Sequence, residues 1–325
     1  MSSWQKRVQA YDRWIGGILL IGLLIVLAVW AWLNFGPGRH VYAVDVPITA
    51  SPADCTADTR LAVIGDFGDA GRPEADVAAL VHNWQADAVL TVGDNNYPDG
   101  EASTIDKNIG QYYQPYIYPY VGDYGPGAAG PNRFFPALGN HDWHPGHVQP
   151  YLDYFTLPGN ERYYEVVLGP VHLFVLDSNG EEPDGFTADS IQAEWLQMQL
   201  AASTSPWKLV TLHHAPYSSG SNHGSDPARQ WPYAEWGATA VLAGHEHTYE
   251  RIMTDEIVYF VNGLGGRWRI HPFARTAVPG SAVRYNQDFG ALLVTANETC
   301  LNFSFYNRSE ELIDSYTVMM TDTHE

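Results

Sequence analysis

Up to about residue 243 the chain alternates short apolar runs with stretches of helical period; after Thr248 one apolar run follows another. Residues 60–64 and 88–92 are apolar runs that each end in Gly-Asp. Between them residues 74–85 place apolar side chains at helical spacing behind Pro73, a helix-start signal. This is the pattern of a β-α-β unit. Residues 171–176, 208–212 and 238–242 read as further strands, with helices expected at 188–202 and 226–236. Residues 98–136 are rich in Gly, Pro and Tyr with one expected helix over 104–113, so they read as a long surface excursion. Alternating units followed by hairpins predict an α/β domain over residues 60–325, a layered sandwich of two mixed β-sheets flanked by helices.

Ahead of that domain, residues 14–35 form an uncharged apolar stretch of the ~20 residues that cross a bilayer as a helix. Trp14, Trp30 and Trp32 stand near its ends, where indole rings favour the membrane interface. Lys6, Arg7 and Arg13 precede it against Asp12, so the positive-inside rule keeps the N-terminus cytoplasmic and sends the rest outside. Residues 1–35 are thus expected to be a cytoplasmic N-terminus and single-pass anchor, and 36–59, with Pro and Gly but no period, a linker. A cleaved signal peptide ending near Ala43, and hence secretion, is the alternative.

The formal charge of −20 excludes nucleic acid as a stable partner, because phosphate backbones are held chiefly by Lys and Arg. Cys55 and Cys300 are too few for a thiolate cluster. They either pair across the domain in an oxidising compartment or stay as buried thiols.

Five short motifs stand at or just after expected strand ends. They are Gly65-Asp66-Phe67-Gly68, Gly93-Asp94-Asn95-Asn96-Tyr97, Gly139-Asn140-His141-Asp142, His213-His214-Ala215-Pro216 and Gly244-His245-Glu246-His247. Singly, each is an ordinary turn or cap sequence. Together they offer the carboxylate oxygens and imidazole nitrogens that a pair of neighbouring cations needs, and strand ends of one domain can converge.

In this order the motifs resemble those of the calcineurin-like metallophosphoesterase superfamily. Tyr97, three residues after the second aspartate, is similar to the purple acid phosphatase branch, in which a tyrosinate binds ferric iron. The resemblance covers residues 60–265 with specific motifs and implies one metal, iron, held by Asp66, Asp94, Tyr97 and His247. It implies a second metal, iron, zinc or manganese, held by Asp94, Asn140, His214 and His245, with Asp94 bridging and a hydroxide as nucleophile. His214 is chosen over His213 because the family's ligand precedes x-Pro, here Ala215-Pro216.

The same resemblance implies that His141 points at the substrate phosphate with Asp142 orienting its ring, and that His223 is a substrate-side histidine. Asp177 reads as a strand-end residue shaping the site, Glu250 and Arg251 as structural, and His144 and His147 as loop histidines without assigned roles. The implied reaction is hydrolysis of phosphate monoesters of small molecules. Cleavage of phosphodiesters or nucleotides, or a non-catalytic membrane-tethered module, are the rival readings.

Overall fold

The first sheet is built around β1 (Thr59–Ile64) and β2 (Ala88–Thr91), which run parallel with Leu61 opposite Ala88 and Ile64 opposite Thr91. Both are apolar along nearly their whole length because neither face of this part of the sheet meets solvent. The structure is a computed structural model that describes residues 57–143 and 147–320. The expected anchor at residues 14–35, the linker up to residue 56, Cys55 and His144 lie outside the described residues. No helix among the described residues is long and apolar enough to cross a membrane.

Between β1 and β2, helix α1 (Arg72–Asn83) starts at Pro73, as its sequence predicts, and buries Val77, Ala78, Leu80 and Val81 on one face. A short parallel strand, β3 (Phe134–Pro136), extends the sheet beyond β2. On the other side of β1 the sheet continues antiparallel through β11 (Gly290–Ala296), β12 (Cys300–Asn307) and β13 (Leu312–Met319). Cys300 is buried at the start of β12 and disulfide-bonded.

The second sheet holds β4 (Tyr164–Leu168), β5 (Val171–Val175), β6 (Trp207–His214), β7 (Ala240–Gly244), β8 (Tyr249–Thr254), β9 (Ile257–Asn262) and β10 (Ser281–Tyr285). Strands β5, β6, β7 and β9 are parallel neighbours, while β4, β8 and β10 pair antiparallel. Period-two alternation sorts its side chains between two cores. Val171, Leu173, Val175, Leu209 and Leu242 share a cluster with Leu61, Val63, Phe303 and Phe305 of the first sheet. Phe174, Leu176, Val210, Leu212 and Val241 face the other way and pack with Leu196 and Leu200 of a helix over Ile191–Ala202. Two mixed sheets packed together, with helices outside, are the expected layered architecture.

One local expectation is corrected. Residues 226–236 are not a helix but a single 3-10 turn at Pro227–Arg229 followed by turns. Pro232 lacks an amide hydrogen, and Trp231 and Tyr233 are buried in the second core. The excursion carries the expected helix, continuous over residues 102–113 with a π-helical stretch at Asp106–Gly110. Strands β3 and β4 and the helix Gln149–Tyr154 were not anticipated, being too short or too polar to show a period.

Candidate metal centre

The candidate residues gather where parallel strands end. Asp66 follows β1, Asp94 follows β2, Asn140 follows β3, His213 is the second-to-last residue of β6, and His245 follows β7. Asp66 and Asp94 both have φ of 54° and His245 has φ of 70°. Left-handed backbone costs a residue with a Cβ roughly 1–2 kcal/mol, and such outliers gather at functional sites. Gly93 at φ 93° is required by space as well: a Cβ there would lie 2.6 Å from Nδ1 of His213.

The side chains fall into two overlapping groups. In the first, Tyr97 Oη lies 2.7 Å from Asp94 Oδ2, 3.4 Å from Asp66 Oδ1 and 3.3 Å from His247 Nε2. His247 Nε2 is 3.5 Å from Asp66 Oδ1. In the second, His213 Nε2 lies 3.0 Å from Asn140 Oδ1, 3.3 Å from Asp94 Oδ1 and 3.1 Å from His245 Nδ1. One carboxylate, Asp94, belongs to both. Donor atoms of Asp66, Asp94 and His213 all lie within 4.8 Å of one another.

These contacts are unusual for a hydrogen-bond network. His213 Nδ1 sits 2.9 Å from the Val92 carbonyl, which only accepts, so that nitrogen carries the hydrogen. In the neutral ring Nε2 then presents a lone pair to the acceptor oxygens of Asn140 and Asp94. His247 is arranged likewise, its Nδ1 against the Arg269 carbonyl and its Nε2 turned to Tyr97 and Asp66. Lone pairs aimed at one another call for positive charge among them, a proton on the imidazole or a metal ion. Ligands about 2.1 Å from a common cation are themselves ~3.0–3.4 Å apart, which is close to the spacings seen here.

Charge tells the same story. The His213 imidazole is favoured in its charged form: burial opposes it, but the facing Asp94 and Asp66 carboxylates outweigh burial. Burial alone would push the Asp94 carboxyl up, yet His213 and His141 hold it below its usual range. Burial, then the carboxylates of Asp94 and Asp66, push the Tyr97 phenol well up. His245 goes strongly the other way, driven down by burial and by the neighbouring imidazoles of His213, His214, His223 and His247. Opposite shifts on adjoining buried imidazoles mark the cluster as a candidate functional site.

Six of the seven expected ligands therefore converge: Asp66, Asp94, Tyr97, Asn140, His245 and His247. The choice of His214 is corrected. Its Nδ1 lies 2.9 Å from Ser178 Oγ, whereas it is His213 that reaches Asp94 and Asn140. Leu209 of β6 faces the first sheet and Val210 and Leu212 the second core, while His213 is fully buried at the strand's end and the His214 ring lies 4.6 Å from that of His245. A register irregularity between Thr211 and His214 adds a residue before Ala215-Pro216, so distance from the proline misleads.

His141 is placed at the rim, its N–H donating to Asp94 Oδ1 at 2.9 Å and its ring 4.5 Å from that of Tyr97. Asp142 does not orient that ring, which is held instead by the Pro98 carbonyl. The Asp142 carboxylate is buried and accepts from the amides of Gly139 (2.8 Å) and Asn95 (3.1 Å) and from Asn95 Nδ2 (2.9 Å). Burial and then Asp94 push its pKa up to about 7. Its task is to fix two ligand loops to each other. The His223 ring lies 3.9 Å from that of His245, and His147 is exposed.

Several supporting residues carried no motif. Glu246 is fully buried and accepts from the amides of Asn222, His223 and Gly224, while its other oxygen is 2.9 Å from His271 Nδ1. His271 stacks on His247 at 4.0 Å and 6°. The Arg267 guanidinium lies 4.4 Å over the Tyr97 ring and pairs with Asp69 at 2.7 Å. Asp177 accepts from Trp143 Nε1 at 2.9 Å beneath the Asn140 loop. Glu250 binds Ser219, and Arg251 forks onto Asp314 of β13 at 2.7 and 3.1 Å. The alternating polar pattern of Gly244-His245-Glu246-His247 was the available signal for Glu246. Arg267 and His271 had none.

The family model for calcineurin-like phosphoesterases matches residues 59–249, a span that contains every residue of the two groups. The chain belongs to the calcineurin-like phosphoesterase family. Among curated relatives, rat tartrate-resistant acid phosphatase type 5 is 25% identical over 279 residues, covering 72% of this chain and 81% of that protein. Purple acid phosphatase 15 of Arabidopsis thaliana is 27% identical over 244 residues, covering 64% of this chain, which spans only 45% of that protein's length. Of solved structures, purple acid phosphatase PPD1 from yellow lupin superposes with a TM-score of 0.65 at 18% identity, covering 80% of this chain and 53% of that one. The Plasmodium protein GAP50, the anchor in the inner membrane complex, gives 0.63 at 14%, covering 81% and 89%. At these identities the superpositions establish the fold. Within the calcineurin-like phosphoesterase family, the sequence relatives place the chain with the purple acid phosphatase branch.

Proposed function

We propose that the chain hydrolyses phosphate monoesters at a centre of two metal ions. The observation that carries this reading is the convergence of lone pairs from seven side chains on two adjoining positions that share Asp94. Asp66, Asp94, Tyr97 and His247 would hold one cation, and Asp94, Asn140, His213 and His245 the other. A phenol and an acidic donor set favour iron at the first, and the second accepts iron, zinc or manganese. When bound, the pair supplies an acidified water as nucleophile and neutralises phosphate oxygens.

The protein's own groups set the rest of the reaction. His141 is held by its backbone on Asp94 and by its ring against the Pro98 carbonyl, with its Nε2 4.0 Å from Asp94 Oδ2. It would give a proton to the departing alkoxide. His223 is held beside His245 by the Glu246 carboxylate and would meet the phosphate from the second-metal side. The apolar run at residues 14–35 supports a single-pass anchor with this domain outside the cytoplasm.

The test is a panel of p-nitrophenyl phosphate, bis(p-nitrophenyl) phosphate and nucleotides at acid and neutral pH, before and after chelation. Fastest turnover of the monoester, lost with chelator and restored by added metal, is expected. Turnover of the diester alone, or turnover indifferent to chelation, would overturn the reading.

A further inference from the structure

Residues 267–269, Arg-Trp-Arg, border the centre, yet nothing in the metal chemistry uses them. The segment is pinned on both sides. The Arg267 N–H donates to the Asp66 carbonyl at 2.9 Å, and the Arg269 carbonyl holds Nδ1 of His247. Trp268, between these two anchors, is therefore attached directly to the backbone that fixes two of the proposed ligands. Its side chain is nevertheless 66% exposed, the most open large aromatic among the described residues. The Arg267 guanidinium spans the gap, 4.4 Å from the Tyr97 ring centroid and 5.8 Å from that of Trp268. A continuous path thus runs from Asp94 through Tyr97 and Arg267 to an indole in solvent.

Exposing a tryptophan costs the burial free energy of a large ring, and Trp268 has polar neighbours on each side that do not cover it. Arg269 is exposed too and, unlike Arg267, makes no ion pair among the described residues. In a chain of charge −20 such an unneutralised guanidinium beside the centre offsets the repulsion of an anionic substrate. An open π-face with a cation next to it is what binds flat aromatic groups bearing negative charge.

Building on the phosphomonoesterase reading, we propose that Trp268 and Arg269 form a leaving-group subsite selecting monoesters of aromatic alcohols and nucleosides over alkyl monoesters. The indole stacks on the leaving group's ring while the scissile phosphate lies at the centre. Arg269 steers the anion toward it.

Two measurements on the full chain test this. The first is the ratio of kcat/KM for phenyl phosphate to that for glycerol 2-phosphate. It should fall roughly tenfold in Trp268→Ala, as base–aromatic stacking energies imply, and recover in Trp268→Phe. The second is calorimetric affinity for phenylphosphonate against methylphosphonate, read without turnover. The wild type should prefer phenylphosphonate and Trp268→Ala should lose that preference. An unchanged ratio together with an unchanged phosphonate preference in Trp268→Ala would overturn the subsite while leaving the monoesterase reading intact. If the wild type turns over neither ester, the reading beneath it falls instead, and the subsite with it.

Discussion

Outside the proposed ligands, Glu246 is the carboxylate that ties residues 222–224 to His271. One of its oxygens collects the amides of Asn222, His223 and Gly224, at 2.9 Å for the first and last, and the other meets His271 Nδ1 at 2.9 Å. Glu246→Ala leaves three backbone donors without their acceptor. A hydrogen bond to a charged group is worth about 1.5–3 kcal/mol, and water reaching the half-buried loop recovers part of that. Taking about 1 kcal/mol lost per amide gives ~3 kcal/mol. For a domain of this size that is a fall of about 6–12 °C in Tm.

Glu246→Gln keeps one oxygen for the three amides and should cost less than half as much. Thermal unfolding followed by circular dichroism at matched metal content measures both. A Tm for Glu246→Ala within about 1 °C of wild type, or an equal loss in Glu246→Gln, would refute the carboxylate's role as the loop's organiser. Because the loop carries His223, Glu246→Ala should also lower kcat/KM on monoesters below that of His223→Ala measured at the same temperature.

His213→Ala should release metal from the second position, whereas His214→Ala should retain it, measured as metal per chain after desalting; the reverse order would restore the x-Pro assignment. The buried Glu74 carboxyl keeps one oxygen without a partner, and burial raises its pKa well above the usual range. The folded state therefore holds that proton more tightly than the unfolded chain. Its stability is highest in acid and declines as pH rises from the unfolded value toward the folded one. Glu74→Gln removes that decline, so its Tm should exceed wild type at neutral pH, with the gap closing near pH ~4. A gap independent of pH would refute the linkage.

Most of the site was legible because its proposed ligands are tied to strand ends, and strand ends are where apolar runs stop. Asp66, Asp94 and His245 each follow a glycine at such a stop. His214 was misread because spacing was counted from Pro216 rather than along the strand. Counting by two from Leu209, whose neighbours Val210 and Leu212 face the second core, reaches His213 directly. The role given to Asp142 failed for a different reason: adjacency to His141 says nothing about where a buried carboxylate finds its amides. Residues 226–236 were expected to form a helix, and within them stand Trp231 and Tyr233. They are buried as aromatic anchors of a turn and not as one face of a helix. Arg267 and His271 lie beyond the last motif and reach the centre only through the return of the chain after β9.

Everything proposed for this chain depends on Asp94 serving two cations at once. Inductively coupled plasma mass spectrometry of the freshly isolated full chain measures that directly, in wild type and in Asp94→Ala. About two transition-metal ions per chain in active wild type, and fewer than about one with activity lost in Asp94→Ala, is the predicted result. Active wild-type protein free of transition metal, or full metal content in Asp94→Ala, would contradict it.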